Sequence, residues 1–362
     1  MSSWKFQHFD LSLANGIQGD PAALVFFSRS GEAILFDAGS LESLSHKDLL
    51  RVRHVCISHT HIDHFIGFDR LIRVNIPHFR EISVSGPKGI IQNVSGKLKS
   101  YLWNLLEPGQ VRFKVFEIGE MGDVTAALIS SDFAFEPQLF QIIEPKLNSV
   151  DPQLPNRPCA YVTSLTDGTR IEAVALDHGT PSIAYVCQAP CRYQVQTDQL
   201  TLLGLSSGPW IRDLQILLAD DRSEEDIVVD GKSFAAKDLA QKVFVATAPR
   251  LFGYVTDAAF NEHNITRLNA LMMGVGVLLS ESNFVKGDVA KAFAKKHLTT
   301  RQAALIAASV RAEELRVFHI SNVYAGTADD VYQEAMTEFA EFKSLNKMQL
   351  DSAVRAAFGK NP

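Results

Sequence analysis

Ser58-His-Thr-His-Ile-Asp-His-Phe-Ile-Gly-Phe-Asp69 packs four metal-binding side chains, His59, His61, Asp63 and His64, into six residues. The five residues before it, Arg-His-Val-Cys-Ile at 53–57, form a short run rich in β-branched side chains that suits a buried strand. The candidate ligands therefore leave a strand end. His59 and His61 lie two apart and can point the same way from extended backbone, whereas Asp63 and His64 fall at the start of a helix running on from Phe65. Two faces of one loop point to two metal ions. A solvated polar loop is the ordinary alternative, but few other constraints place these ligand types so densely.

The chain has 362 residues, is 46% hydrophobic and has near-zero mean hydropathy, enough to bury a large core in one big domain or two ordinary ones. A formal net charge of -6 gives no general reason to expect a polyanionic partner. Four cysteines, Cys56, Cys159, Cys187 and Cys191, are too few and too unevenly placed for a disulfide framework and favour a reducing compartment. Cys187 and Cys191 read as buried thiols, since their spacing does not suit a zinc knuckle. The first residues lack an apolar segment typical of export, and no run of about 18 apolar residues occurs, so a cytoplasmic protein without a membrane partner is expected.

Along the chain, strands are predicted at residues 5–11, 22–27, 33–36, 81–85 and 111–118, with a helix at 97–106. Asp37 and Gly39 follow the third of these strands at once. Residues 144–158, rich in Pro, Asn and Asp, read as a surface connection. Strands resume at 160–164, 170–176, 182–188, 242–247, 252–256 and 315–318, with a helix at 299–315 capped by Thr299 or Thr300 and two amphipathic helices from Ala328 on. His178 lies in the turn between two of these strands, and Asp257 and His319 each follow another. Metal-type residues just past strand ends suit two packed sheets with helices outside and a site along one edge.

Zinc takes histidine and carboxylate ligands at about 2.0–2.2 Å and, in hydrolytic sites, leaves room for water. Four ligands in one loop are too few for two ions, so His178, Asp257 and His319 are the candidates to complete the set. The His-Thr-His-Ile-Asp-His run resembles the signature of the metallo-β-lactamase fold, an αββα sandwich of two mixed sheets with outer helices and a dinuclear site. The segments Ala-Leu-Asp-His-Gly at 175–179, Glu-Ser-Asn-Phe at 281–284, His-Leu-Thr-Thr-Arg-Gln-Ala-Ala at 297–304 and Phe-His-Ile-Ser at 318–321 resemble ribonuclease Z, the tRNA 3′-processing endonuclease. This resemblance covers most of the chain, from Lys5 to about Tyr324.

The resemblance implies that His59, His61 and His178 hold one divalent ion, that Asp63, His64 and His319 hold the other, and that Asp257 bridges them. It also implies zinc, with manganese as the alternative, and attack on a phosphodiester by a metal-bound hydroxide. Asp37 would steady a ligand imidazole through its free N–H, and Asp63 would accept a proton. His297 would be the general acid, oriented by Glu281, although Leu298-Thr299 stands where the family has Ser-Thr. Homodimer pairing is a further family property.

The substrate region departs from that pattern. Residues 15–23, Asn-Gly-Ile-Gln-Gly-Asp-Pro-Ala-Ala, carry no basic side chain where ribonuclease Z has Lys and Arg. A single metallo-β-lactamase-like domain spans 1–362, with an arm insertion expected at about 187–241, marked by Leu-Gly-Leu-Ser-Ser-Gly-Pro-Trp at 203–210. That arm has five basic residues, Arg192, Arg212, Arg222, Lys232 and Lys237, against nine acidic ones, which does not support RNA as its partner. Two other readings stay open: hydrolysis of a small phosphodiester such as a cyclic nucleotide, or of another ester or lactam, and a scaffold that retains metal without turnover. Arg70, Arg73 and Arg80 suit either a phosphate groove or an exposed helix face. His8, His46, His54, His78 and His263 fall in no partner pattern.

Overall fold

Side-chain alternation along each strand divides the core into layers. In the strand Glu32–Phe36, Ala33 and Leu35 join a core shared with helices, while Phe36 turns the other way. There it meets Tyr185, Phe252 and Tyr254 of a second sheet, at ring-centroid separations of 6.1, 5.1 and 5.2 Å. The computed structural model describes residues 2–141, 159–190, 192–219, 222–247 and 249–358.

The first sheet takes nine strands in chain order, Ser2–Lys5, Phe9–Leu13, Ala23–Phe27, Glu32–Phe36, Val52–Cys56, Glu81–Pro87, Arg112–Ile118, Val124–Ser130 and Gln138–Phe140. It is parallel from Glu32–Phe36 to Arg112–Ile118 and antiparallel on both sides. The second sheet runs Ala160–Ser164, Arg170–Asp177, Pro181–Gln188, Arg250–Val255, Val277–Glu281 and Glu314–Phe318, with the last three strands parallel. Helices His46–Arg51, Phe68–Asn75 and Ile90–Lys99 pack on the outer face of the first sheet through Leu49, Leu71 and Val94. Glu262–Met272, Thr300–Ser309 and Ala328–Lys343 cover the second through Leu268, Ile306 and Phe339. The result is the αββα sandwich of mixed sheets expected from the sequence.

At one end, hydrogen bonds stitch the sheets together. Ile183 N–H donates to the Ser58 carbonyl (2.8 Å), Tyr185 Oη to the Ile57 carbonyl (2.8 Å) and Tyr254 Oη to Asp37 Oδ2 (2.7 Å). This is the end from which Asp37, His59, His178, Asp257 and His319 emerge.

The sandwich residues form one compact unit, and Ala189–Pro249 belong to a second. The second has its own antiparallel pair, Arg192–Val195 with Phe244–Thr247, helices Thr197–Leu203, Trp210–Ala219 and Ala236–Val243, and a hairpin of Asp226–Val229 with Lys232–Ala235. Leu200, Trp210, Leu214, Leu239 and Val243 form its core. Arg222 forks onto Glu225 with two bonds of 2.7 Å, and Lys237 meets Glu224 at 3.0 Å, so two of its cations are spent on its own carboxylates.

Several elements differ from expectation. The predicted strand at 5–11 is two strands with a turn between them. The helix predicted at 97–106 ends at Lys99, because the Trp103 indole donates to the Leu98 carbonyl (2.6 Å) and folds the chain back; Leu102 and Leu105, at helical spacing, are instead 93% and 89% exposed. The helix predicted to reach 315 stops at Ser309, closed by Arg311 in the left-handed region (φ 54°), which frees Glu314 to begin a strand. Lys242 ends a helix rather than opening a strand. The connection at 144–158 and Cys191 lie outside the described residues; Cys56 and Cys187 are buried. Arg70 bonds Glu42 and the Leu44 carbonyl and lines a surface groove with Arg73, and Arg80 bonds the Leu50 carbonyl, so both brace the loop and helix ahead of the histidine motif. Among the described residues no helix is long and apolar enough to cross a membrane.

His54 has a place in this interior. It is 1% exposed, bonds Ser85 Oγ at 3.0 Å, and burial lowers its pKa to about 3 from 6.5. The folded pKa lies below the unfolded one, so the unfolded chain binds more protons between the two values. Stability present above pH 6.5 is therefore lost as pH falls toward about 3. His54→Gln, which keeps a donor for Ser85, should flatten this acid limb in urea unfolding at a series of pH values. Identical slopes for the two proteins would refute the assignment.

Candidate metal centre

Backbone geometry places several of the candidate residues before any side chain is considered. Asp37, Asp257 and His319 each leave a strand in the left-handed region, at φ 54°, 46° and 52°. Such conformations are costly for non-glycine residues and gather at functional sites. The one-turn helix Ile62–Phe65, which carries Asp63 and His64, is held by the Asp37 loop: Ala38 N–H donates to the His64 carbonyl (2.8 Å) and Gly67 N–H to the Ala38 carbonyl (2.8 Å). A side chain at Gly67 would run into the Gly39 carbonyl, which explains the glycine there.

His59, His61, His178 and Asp257 bring one ligand atom each within 4.8 Å of one another, as do Asp63, His64 and His319, and again Asp257, His297 and His319. Asp257 is 3% exposed and stands between two sets. Its Oδ2 lies 3.6 Å from His59 Nε2 and 3.3 Å from His178 Nε2; its Oδ1 lies 3.5 Å from His64 Nε2 and 3.3 Å from His319 Nε2. Asp63 Oδ2 sits 3.5 Å from His64 Nε2 and 3.9 Å from His319 Nε2. These separations are long for hydrogen bonds. They match the spacing of about 3.4 Å between two ligands of a tetrahedral ion at 2.0–2.1 Å. His59 Nε2 and His64 Nε2 are moreover buried with no hydrogen-bond partner. Two orphaned imidazole nitrogens aimed at a carboxylate make a donor set that fits divalent cations.

The opposite ring nitrogens are tethered. His64 Nδ1 donates to Asp37 Oδ2 (2.8 Å) and His178 Nδ1 to the Lys296 carbonyl (2.7 Å), which leaves each Nε2 facing the centre. Asp37 is fully buried and also accepts from Ser58 N–H (2.6 Å), Ser58 Oγ (2.8 Å) and Tyr254 Oη (2.7 Å). Burial and the neighbouring His64 lower the His59 pKa to about 2, so that ring is neutral. Burial opposes a charge on His64 as well, but Asp37 and Asp257 outweigh it and raise its pKa to about 9. A cation between the rings would take the place of that proton.

His297 flanks the cluster, its ring centroid 5.0 Å from His178 and 5.8 Å from His319. Its Nδ1 donates to Glu281 Oε2 (2.7 Å), and Glu281 Oε1 accepts from Ala258 N–H (2.8 Å), beside Asp257. Burial alone would lower the His297 pKa, yet the fully buried Glu281 carboxylate raises it to about 9. Leu298, where the resembling family has serine, points into the core, and Thr299 caps the following helix, so Glu281 is what holds the ring. All nine site residues singled out in the sequence thus meet in one place. Ser58, Tyr254 and Lys296 were not among them. No local pattern marks Tyr254 or Lys296, because each acts on a strand or turn distant in sequence.

The loop of residues 15–23, next to the site, carries no basic side chain. The Asn15 amide closes its loop by donating to the Asp20 and Ser40 carbonyls, both at 2.8 Å, and Ile320 N–H, next to His319, donates to the Ile17 carbonyl at 3.0 Å.

A family model described as "Metallo-beta-lactamase superfamily" matches residues 19–89. Ribonuclease Z of Deinococcus radiodurans is 28% identical over 328 residues, 86% of this chain and 91% of that protein. Ribonuclease Z of Anoxybacillus flavithermus is 26% identical over 346 residues, 92% of this chain and 91% of that protein. The crystal structure of human tRNase Z, short form, aligns with 90% of this chain and 94% of its own at 15% identity and a TM-score of 0.47.

Tyr254→Phe removes one of the four donors to Asp37 and leaves the packing. It should cost about 1–2 kcal/mol in urea unfolding and roughly tenfold in affinity for a divalent ion, measured by chelator competition. Unchanged affinity would mean that Tyr254 serves packing alone.

Proposed function

We propose that this chain, a metal-dependent hydrolase of the metallo-β-lactamase fold that resembles ribonuclease Z, cleaves phosphodiester bonds at the histidine and aspartate cluster. Support comes from Asp257, whose two oxygens each face a separate pair of imidazoles. In this reading His59, His61 and His178 hold one ion, Asp63, His64 and His319 a second, and Asp257 bridges them. The all-nitrogen and oxygen donor set suits zinc, with manganese next. Two such ions would supply a nucleophile at neutral pH by acidifying water and would offset charge developing on the phosphoryl oxygens.

The protein's own groups do the rest. Asp63, its side chain 37% exposed against 4% for Asp257, is the carboxylate free to take a proton from the nucleophile. His297, charged and held through Nδ1 by Glu281, presents Nε2 to the leaving oxygen and donates its proton as the P–O bond breaks. Tyr254, Ser58 and Asp37 keep His64 turned toward the centre.

By analogy with the named relatives, the first substrate to test is a tRNA precursor carrying a 3′ trailer. A second reading, a small phosphodiester such as a cyclic nucleotide, is favoured by the loop at residues 15–23, which has no basic side chain, and by an arm with nine acidic residues against five basic.

Protein purified without chelator and supplemented with zinc or manganese should carry two ions per chain by elemental analysis; fewer than one would sink the two-ion reading. Side by side, a tRNA precursor, a cyclic nucleotide and a nitrophenyl phosphodiester separate the substrates, and cleavage of the small ones only would reject RNA processing. His297→Ala should slow the unactivated substrate about 10²–10⁴-fold in kcat. The nitrophenyl ester, whose leaving group needs no proton, should be nearly spared. Equal losses on both would remove His297 as the acid.

A further inference from the structure

Lys296 touches the site through both of its ends. It caps the helix Val289–Lys295 in the left-handed region (φ 56°), a conformation that favours glycine, and glycine is what caps the helix Thr197–Leu203 in the same conformation (Gly204, φ 64°). The Lys296 carbonyl accepts the His178 Nδ1–H at 2.7 Å. Its ammonium reaches Asp177 Oδ1 at 3.1 Å, an oxygen that also accepts Gly179 N–H at 2.7 Å. Its methylenes lie over Gly179, where an added Cβ would come within 3.2 Å of Lys296 Cδ. One residue thus grips the turn 177–179 on both sides of His178, and the next residue in the chain is His297.

Resting on the ligand and acid roles proposed above, we infer that Lys296 is a positioning residue that fixes His178 and His297 as one unit. The carbonyl selects the His178 tautomer with Nε2 facing Asp257. The ammonium keeps that carbonyl from swinging away by tying its residue to the turn the imidazole stands on. The His178 and His297 rings, 5.0 Å apart, then keep one separation, so that ion and proton donor address the same phosphoryl group. The neighbouring lysine points elsewhere, with Lys295 Nζ 5.9 Å over the Phe284 ring.

The test compares Lys296→Met, Lys296→Gly and Lys296→Arg with a Lys295→Ala control, all as full chains. Zinc affinity is measured by chelator competition, and the centre is read by the visible absorption of the cobalt-loaded protein. The Met and Gly variants should bind the weaker of two zinc ions roughly tenfold less tightly, with an altered cobalt spectrum. Lys296→Arg should recover most of the affinity. Lys296→Gly should melt no lower than wild type when metal-free, because glycine relieves the left-handed backbone, so its loss of affinity cannot be assigned to unfolding. Wild-type affinity and spectrum in both Met and Gly variants, or an equal loss in Lys295→Ala, would overturn the role while leaving the hydrolase reading intact. A wild-type chain that takes up no zinc would overturn both.

Discussion

A buried carboxylate with four donors holds this site in register. Asp37 takes Ser58 N–H and Oγ, His64 Nδ1 and Tyr254 Oη, so groups from both sheets converge on one side chain. A carboxylate removed from water is tolerable only when its lone pairs are filled, and here the filling is also the registration of the sheets. The left-handed turn at Asp37 that aims the carboxylate inward leads into the loop that holds the His64 helix. Shift one sheet along the other and Asp37 loses Tyr254, His64 loses its orientation, and the cluster around Asp257 opens.

The division of labour follows from the order of strands. The first sheet supplies His59, His61, Asp63 and His64 from a single loop, within a stretch where the strands are parallel and their ends point the same way. The second supplies His178, Asp257 and His319 from three strands, each one residue type at a time. A dense local motif and three scattered singletons are the sequence image of that asymmetry. The motif is therefore readable without a fold, whereas the singletons acquire meaning only through their shared position just past a strand.

This explains what was legible. Periodicity and the ligand motif lead to two sheets, outer helices and a site along one edge, and strand-end placement brings His178, Asp257 and His319 into the set. Glu281 and His297 needed a family resemblance, because a lone carboxylate sixteen residues from a lone histidine has no spacing signature of its own; their 2.7 Å contact is a product of adjacent strands and loops. Tyr254 sits in a fully buried run, Phe252-Gly-Tyr-Val255, where an aromatic is expected for packing, and only the facing sheet reveals that its hydroxyl is spoken for. Leu102 and Leu105 show the converse failure: helical spacing without a surface to bury against does not make a helix. In the second unit, Asp230-Gly231, both at positive φ, form the hairpin turn that such a pair favours, a signal that the sequence itself carries.

Because the candidate ligands are shared between the two sheets, a cation in the centre also acts as a cross-link. Ligands bound only by the native state stabilise it by mass action, in proportion to the logarithm of their free concentration over their dissociation constant. Metal supply would then govern how much of the protein persists as well as how fast it works.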